Sequence, residues 1–298
     1  MPFAVPPFMT THRKHESSWL WLALLPMTAG WTLLAGLNPL QHLCAIAGSI
    51  FLIVKFASER HYLATAAMRP SRCDRLAWFL LWPGLDPQAF FTHRRDVETP
   101  APSEWACGVL KMAFGLLLLR VVAPRCLTVH ELAAGWVAMI GLVFTLHFGL
   151  FHLAALGWRR AGRDVVPIML APIMATSLNE FWSRRWNLAF RDFAYTFVFR
   201  PLVRQRQARL AEWLVFAFSG LVHELAISVP AGAGFGLPLA YFLLQGFGVW
   251  IERRLPGAGV TRSRLFGWLF TALLAAPAAY WLFHPAFVRR LILPLIGG

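Results

Sequence analysis

Two polar islands interrupt an otherwise apolar chain, and they hold the residues whose types and spacing could do chemistry. "FSGLVHELAIS", Phe218 to Ser228, places His223 and Glu224 near the middle of the apolar run Trp213 to Val229. "SLNEFWSRRWNLAF", Ser177 to Phe190, carries Glu180, Trp182, Arg184, Arg185, Trp186 and Asn187. A charged side chain at mid-membrane costs roughly 2.5–3.5 kcal/mol even on a lenient insertion scale, so such residues face a cavity or a partner. Successive helical residues point about 100° apart. His223 and Glu224 therefore address different surroundings: His223 a cavity, Glu224 an arginine such as Arg184 or Arg191.

An isolated intramembrane histidine suits general-base chemistry. Neutral imidazole accepts a hydroxyl proton near neutral pH. The reaction then needs an electrophile that is already activated, such as a thioester, and benefits from a neutral donor, which Asn187 offers. Ser219 lies four residues before His223 and shares its face, so a serine nucleophile competes with this reading. A serine in a membrane helix more often bonds its own i−4 carbonyl. Metal chemistry fits poorly. His147 and His152 are five residues apart, no HExxH occurs, and Cys44, Cys73, Cys107 and Cys126 lack CxxC spacing.

Read as one helix over 179–192, Glu180, Arg184, Asn187 and Arg191 fall on one face, with a Glu180–Arg184 ion pair. Trp182, Trp186 and Phe190 make a separate aromatic stripe. The bland alternative is an interfacial helix with tryptophans at the headgroups and snorkelling arginines. It accounts for those residues better than for Asn187 and Glu180.

The elements that position these islands are membrane helices. Of 298 residues, 58% are hydrophobic and only 14% charged, against about 25% charged in a soluble domain. The expected class is all-α, one polytopic domain over 1–298. About eight spans are read, near 19–37, 42–58, 105–123, 133–156, 165–176, 211–229, 235–251 and 265–284. Shorter apolar pieces at 76–91 and 287–296 read as interfacial or re-entrant, and "LLWPGLDPQAF", Leu80 to Phe90, as a sharp interfacial turn. The first span reads as a retained helix rather than a cleaved leader.

Lys and Arg number six in 59–104, three in 157–164, seven in 177–210 and four in 252–264. The opposite connections hold only Arg125. The positive-inside rule makes the basic connections cytoplasmic. It also accounts for the net charge of +14 without a nucleic-acid partner. Segment 165–176, with Pro167 and Pro172, is too short to cross, so a broken or re-entrant helix is expected there.

Four pieces in order, "LLWPGLDP", "HFGLFHL", "SLNEFWSRRWN" and "FSGLVHE", span residues 80–224. Together they resemble the membrane-bound O-acyltransferase superfamily, in particular its wax-synthase-like branch. The flanks match only as hydrophobic helices. The resemblance implies acyl-CoA:alcohol O-acyl transfer in a helical bundle with an internal reaction chamber. Acyl-CoA would enter from the cytoplasm and a lipid alcohol from the bilayer. It maps the catalytic base onto His223 and the motif asparagine onto Asn187. Glu180, Trp182, Arg184, Trp186 and Ser219 are then substrate-binding candidates, and Arg184, Arg185, Arg204 and Arg206 candidates for the CoA phosphates. No cofactor beyond the acyl-CoA co-substrate and no metal are expected. Other acceptors (sterol, diacylglycerol, glycan) and a proton-coupled transporter are the rivals. The short chain and the arginine-over-lysine bias favour a bacterial inner membrane over the endoplasmic reticulum.

Overall fold

The structure, a computed structural model, describes residues 36–94, 96–254 and 263–297. Five helices have the length and composition to cross a membrane. They are α1 (Pro39–Leu63), α4 (Pro102–Cys126), α5 (Glu131–Arg160), α7 (Ala208–Ala231) and α9 (Arg264–Leu282). A shorter apolar helix, α8 (Leu237–Glu252), packs antiparallel to α7. Shorter helices include α2 (Arg72–Leu81), α3 (Pro87–Phe91) and α6 (Leu188–Ala194). The polytopic all-α reading holds: five of the eight expected spans are helices long enough to cross, and the expected span at 235–251 is the shorter helix α8. The span at 19–37 lies outside the described residues.

The span at 165–176 is corrected. It contains a single 3-10 turn, Pro172–Met174, preceded by a left-handed Ala171, and is otherwise irregular. Its backbone is paired locally instead of by a helix: the Leu188 N–H donates to the Ile168 carbonyl and the Leu170 N–H to the Arg185 carbonyl, at 2.8 and 2.9 Å. Two prolines remove donors a helix would need, and a neighbouring segment supplies partners. The expectation that 177–210 returns to the basic side survives, because 165–176 does not cross.

Helix starts follow the sequence. At α1, Asn38 and Gln41 exchange side-chain-to-backbone bonds, Asn38 Oδ1 accepting at 2.9 Å and Gln41 Oε1 at 3.1 Å. This capping box meets two otherwise orphaned N–H groups, and Pro39 loses nothing at the first position. Helices α4 and α5 cross where Gly115 meets Thr145 and Gly141 meets Gly115. Small residues let membrane helices approach to backbone contact. The turn at Pro83–Gly84 is pinned by the buried Lys55, whose Nζ donates to the Gly84 carbonyl at 2.7 Å and sits 3.3 Å from the Trp78 ring centroid.

Ion pairs sort to two ends. Arg159–Glu104, Arg94–Asp164, Arg75–Glu59, Arg163–Asp74 and Arg253–Glu212 all join the basic connections or the helix ends beside them. Arg289–Glu131 lies at the far end, with the short 127–130 and 232–236 loops. The bundle therefore has one basic, loop-rich face and one tight face.

Candidate active site

Helices α7 and α8 form two walls of a cavity of about 570 Å³. From α7 come Glu212, Val215, Phe216, Ser219 and His223, one helical face; from α8 come Phe242, Gly246, Val249, Trp250 and Arg253. At the basic end Arg253 and Glu212 form an ion pair. In the interior the His223 ring packs on Phe242, centroids 4.5 Å apart. Eleven residues separate these levels on each helix, so His223 lies roughly 16 Å from the Arg253–Glu212 level at about 1.5 Å per residue.

The His223 Nδ1 lies 2.7 Å from the Ser219 carbonyl oxygen. A carbonyl only accepts, so Nδ1 carries the proton and Nε2 keeps its lone pair. The helix thus fixes the tautomer from one turn back. The Ser219 hydroxyl donates to the Val215 carbonyl at 2.9 Å, the i−4 back-bond expected of a membrane serine. Ser219 lines the cavity but is not poised as a nucleophile on His223. A π-turn, Glu224–Ser228, begins directly after His223, and another, Phe181–Arg185, ends just before Trp186 and Asn187. Single π-turns recur at functional sites because they re-aim neighbouring side chains.

Asn187 sits at φ 43°, ψ 62°. Few L-residues other than asparagine tolerate that left-handed region. Its Oδ1 accepts the Phe190 N–H at 3.3 Å and caps α6. Asn187 also lines the cavity. The continuous helix expected over 179–192 is corrected. The left-handed Asn187 breaks it, so the one-face alignment with Arg184 and Arg191 does not form. Among the described residues no hydrogen bond joins Asn187 to His223.

The other candidates divide. Trp182 and Trp186 line the cavity. The Trp182 Nε1 donates to Gln245 Oε1 at 3.3 Å, and Trp186 stacks on Phe181 at 5.4 Å. Glu180 does not line it. Its carboxylate takes the Thr176 N–H and hydroxyl and pairs with Arg185 at 2.7 Å, not with Arg184. The wider π-turn moves its partner from i+4 to i+5. Burial pushes the Glu180 carboxyl up, but the Thr176 and Arg185 donors outweigh it and hold it below the usual range. Arg184 is exposed and outside the cavity wall. Glu180 and Arg184 are thus not placed where a substrate in the chamber would touch them.

Glu224 finds no arginine either. Its Oε1 accepts the N–H groups of Gly236 and Leu239 at 2.9 and 3.1 Å. The start of α8 supplies unpaired donors and the positive end of a helix dipole. Arg191, meanwhile, is held by the Ser183 carbonyl and Asp192. Asp192 also lines the cavity, and burial pushes its carboxyl up to about 6, with Arg191 opposing and Asp86 adding.

Residues 165–244, which contain both islands and most of this cavity, match the Membrane bound O-acyl transferase family. Probable long-chain-alcohol O-fatty-acyltransferase 2 of Arabidopsis thaliana is 28% identical over 296 residues, covering 90% of this chain and 82% of that one. The long-chain-alcohol O-fatty-acyltransferase of Simmondsia chinensis is 28% identical over 171 residues, 51% of this chain and 48% of that one. Acyl-CoA–sterol O-acyltransferase 1 of Arabidopsis thaliana is 25% identical over 216 residues, 69% of this chain and 61% of that one.

The cavity and its surroundings hold residues that sequence reasoning missed. Phe242, one of 25 phenylalanines, gave no signal. Glu252 did: it is a carboxylate ending an apolar run. Its two oxygens accept the Leu178 and Asn179 N–H groups, both at 2.9 Å, tying the end of α8 to the start of the first island. Among the described residues no three His, Cys, Asp or Glu side chains gather as metal ligands.

Proposed function

We propose that the protein transfers a fatty acyl group from acyl-CoA to the hydroxyl of a long-chain alcohol, forming an ester. The observation that carries this is the fixed His223 tautomer. An unprotonated Nε2 belongs to a histidine that lines a largely apolar cavity reaching Arg253 at the basic end. The names of the relatives in Arabidopsis and Simmondsia agree with it.

His223 Nε2 takes the alcohol proton as the oxygen attacks the thioester carbonyl. The Asn187 amide donates to the oxyanion that develops. The C–S bond then breaks, and the sulfur leaves with the proton from His223 as the CoA thiol. No covalent enzyme intermediate and no cofactor or metal enter these steps. The dimensions suit the donor. About thirteen bonds separate the CoA pyrophosphate from its sulfur, roughly 16 Å when extended at about 1.2 Å per bond. That spans the distance from Arg253 to His223. Arg253, with the basic stretch 200–209 that runs into α7, offers guanidinium groups that would pair with phosphates. Trp182, Trp186 and Phe242 exclude water, which limits thioester hydrolysis.

The membrane is the bilayer its spans cross. Composition favours a bacterial inner membrane, a reading to which the plant origin of the relatives lends no support.

The test is acyl transfer by purified protein, with labelled long-chain acyl-CoA and a panel of fatty alcohols, diacylglycerol and sterol. Wild-type protein yields ester, and His223→Ala loses about 10²–10⁴-fold of the rate, the worth of a general base. No ester and no CoA release with any acceptor would overturn the proposal. Ester formation confined to sterol or diacylglycerol would replace the alcohol as acceptor.

A further inference from the structure

Behind His223, on the tight face, a second histidine stands in an unusual setting. His284 is 2% exposed. Its Nδ1 accepts the Phe287 N–H at 3.3 Å, so the proton of the neutral ring is on Nε2. The ring lies so close to Gly234, at φ 75°, that a Cβ there would overlap it. Gly234 belongs to the 232–236 loop that leads into α8. Glu224 acts on the same loop, holding the Gly236 and Leu239 N–H groups with Oε1.

The other oxygen of Glu224, Oε2, is buried without a hydrogen bond, and so is the Nε2 of His284. One is an acceptor lacking a donor, the other a donor lacking an acceptor. Both groups border the 232–236 loop; burial lowers the His284 pKa, and the Glu224 charge works against it. Buried polar atoms are rarely left unmet, and a pair too far apart to bond directly is commonly joined by one water.

We propose that His284 Nε2 and Glu224 Oε2 bind one water between them, and that His284 is thereby a positioning residue for the catalytic chamber. The bridge orients the Glu224 carboxylate, which fixes the first turn of α8. That helix presents Phe242 to His223. A link to the rate rests on the base role proposed for His223, whereas the effect on α8 does not.

The experiment compares His284→Phe, His284→Met and His284→Gln in the full chain. Hydrogen exchange is followed by mass spectrometry over 236–239, alongside kcat and the KM for acyl-CoA. Losing the donor in the Phe or Met variant is expected to speed exchange there about tenfold, the effect of one hydrogen bond's worth of local opening. The kcat falls and the KM, set at the distant mouth, stays within about twofold. Glutamine retains an N–H donor and restores both readouts. Unchanged exchange over 236–239 in the Phe and Met variants overturns the proposal. So does a Gln variant that exchanges as fast as they do, since packing alone would then account for the loss. If the wild-type protein makes no ester, the exchange comparison still decides the positioning role by itself.

Discussion

Asn187 does two jobs that substitution can separate. Its backbone is left-handed and its Oδ1 caps α6, while its amide NH2 is the proposed donor to the oxyanion. Alanine loses all three features. The left-handed conformation costs a Cβ-bearing residue about 1–2 kcal/mol, and the lost cap about 1 kcal/mol. Asn187→Ala should therefore lose about 2–3 kcal/mol of stability, roughly 5–10 °C in Tm at this chain length. Glycine tolerates the backbone, and as a cap it falls only a few tenths of a kcal/mol short, about 1 °C. Aspartate tolerates the backbone and keeps the capping oxygen, but has no N–H to donate. If the amide stabilises the oxyanion, all three variants lose about 10²–10³-fold in kcat, whatever their stability. The assay is initial ester formation by purified variants, with thermal unfolding followed in the same detergent. Asn187→Gly or Asn187→Asp retaining kcat within about threefold of wild type would refute the reasoning. Asn187 would then be present for its backbone alone.

Other outcomes follow from the same geometry. Ser219→Ala should keep kcat within about threefold, since the backbone carbonyl and not the hydroxyl holds His223; a loss near the full value of a nucleophile, about 10⁴-fold or more, would revive a serine acyl-enzyme. Glu252→Ala leaves the Leu178 and Asn179 N–H groups without partners, a cost of about 2–5 kcal/mol read as a lower Tm, with Glu252→Gln recovering about half. Asp192 has its folded pKa raised to about 6 from 3.8, so the folded state binds more protons between those values and stability falls as pH rises through that window. Asp192→Asn should therefore unfold at a higher temperature than wild type at pH 7.5, the gap closing towards pH 4. An unchanged gap across that range would contradict the shift.

Much of the fold was legible because membrane burial imposes one simple rule. Spans such as α5 and α7 lie within a few residues of the apolar runs, and the lysine and arginine asymmetry matches the division into a basic face and a tight face. His223 was legible for the same reason, as an ionisable group where such groups are expensive. Local geometry was less so. A left-handed Asn187 is invisible to helical periodicity, and two π-turns shift the expected i,i+4 partners. Glu180 therefore meets Arg185 instead of Arg184. Glu224 was misread because its partner is a pair of backbone N–H groups on another helix, which no side-chain pattern announces. Contacts between distant segments, such as Glu252 with Leu178 or His223 with Phe242, depend on how helices pack and left almost no trace in the sequence.

The Ser219 carbonyl that holds Nδ1 has a consequence for the whole membrane. With His223 as the proposed base, its one vacant seat for a proton is filled and emptied within each turnover. What the alcohol gives up, the departing sulfur takes. Esterification is then neutral towards the compartments on both sides, drawing no proton from either and releasing none. A chamber working this way needs no chain of waters to the surface. Its aromatic lining can stay dry throughout the cycle, and the internal proton hand-over carries no net charge across the bilayer.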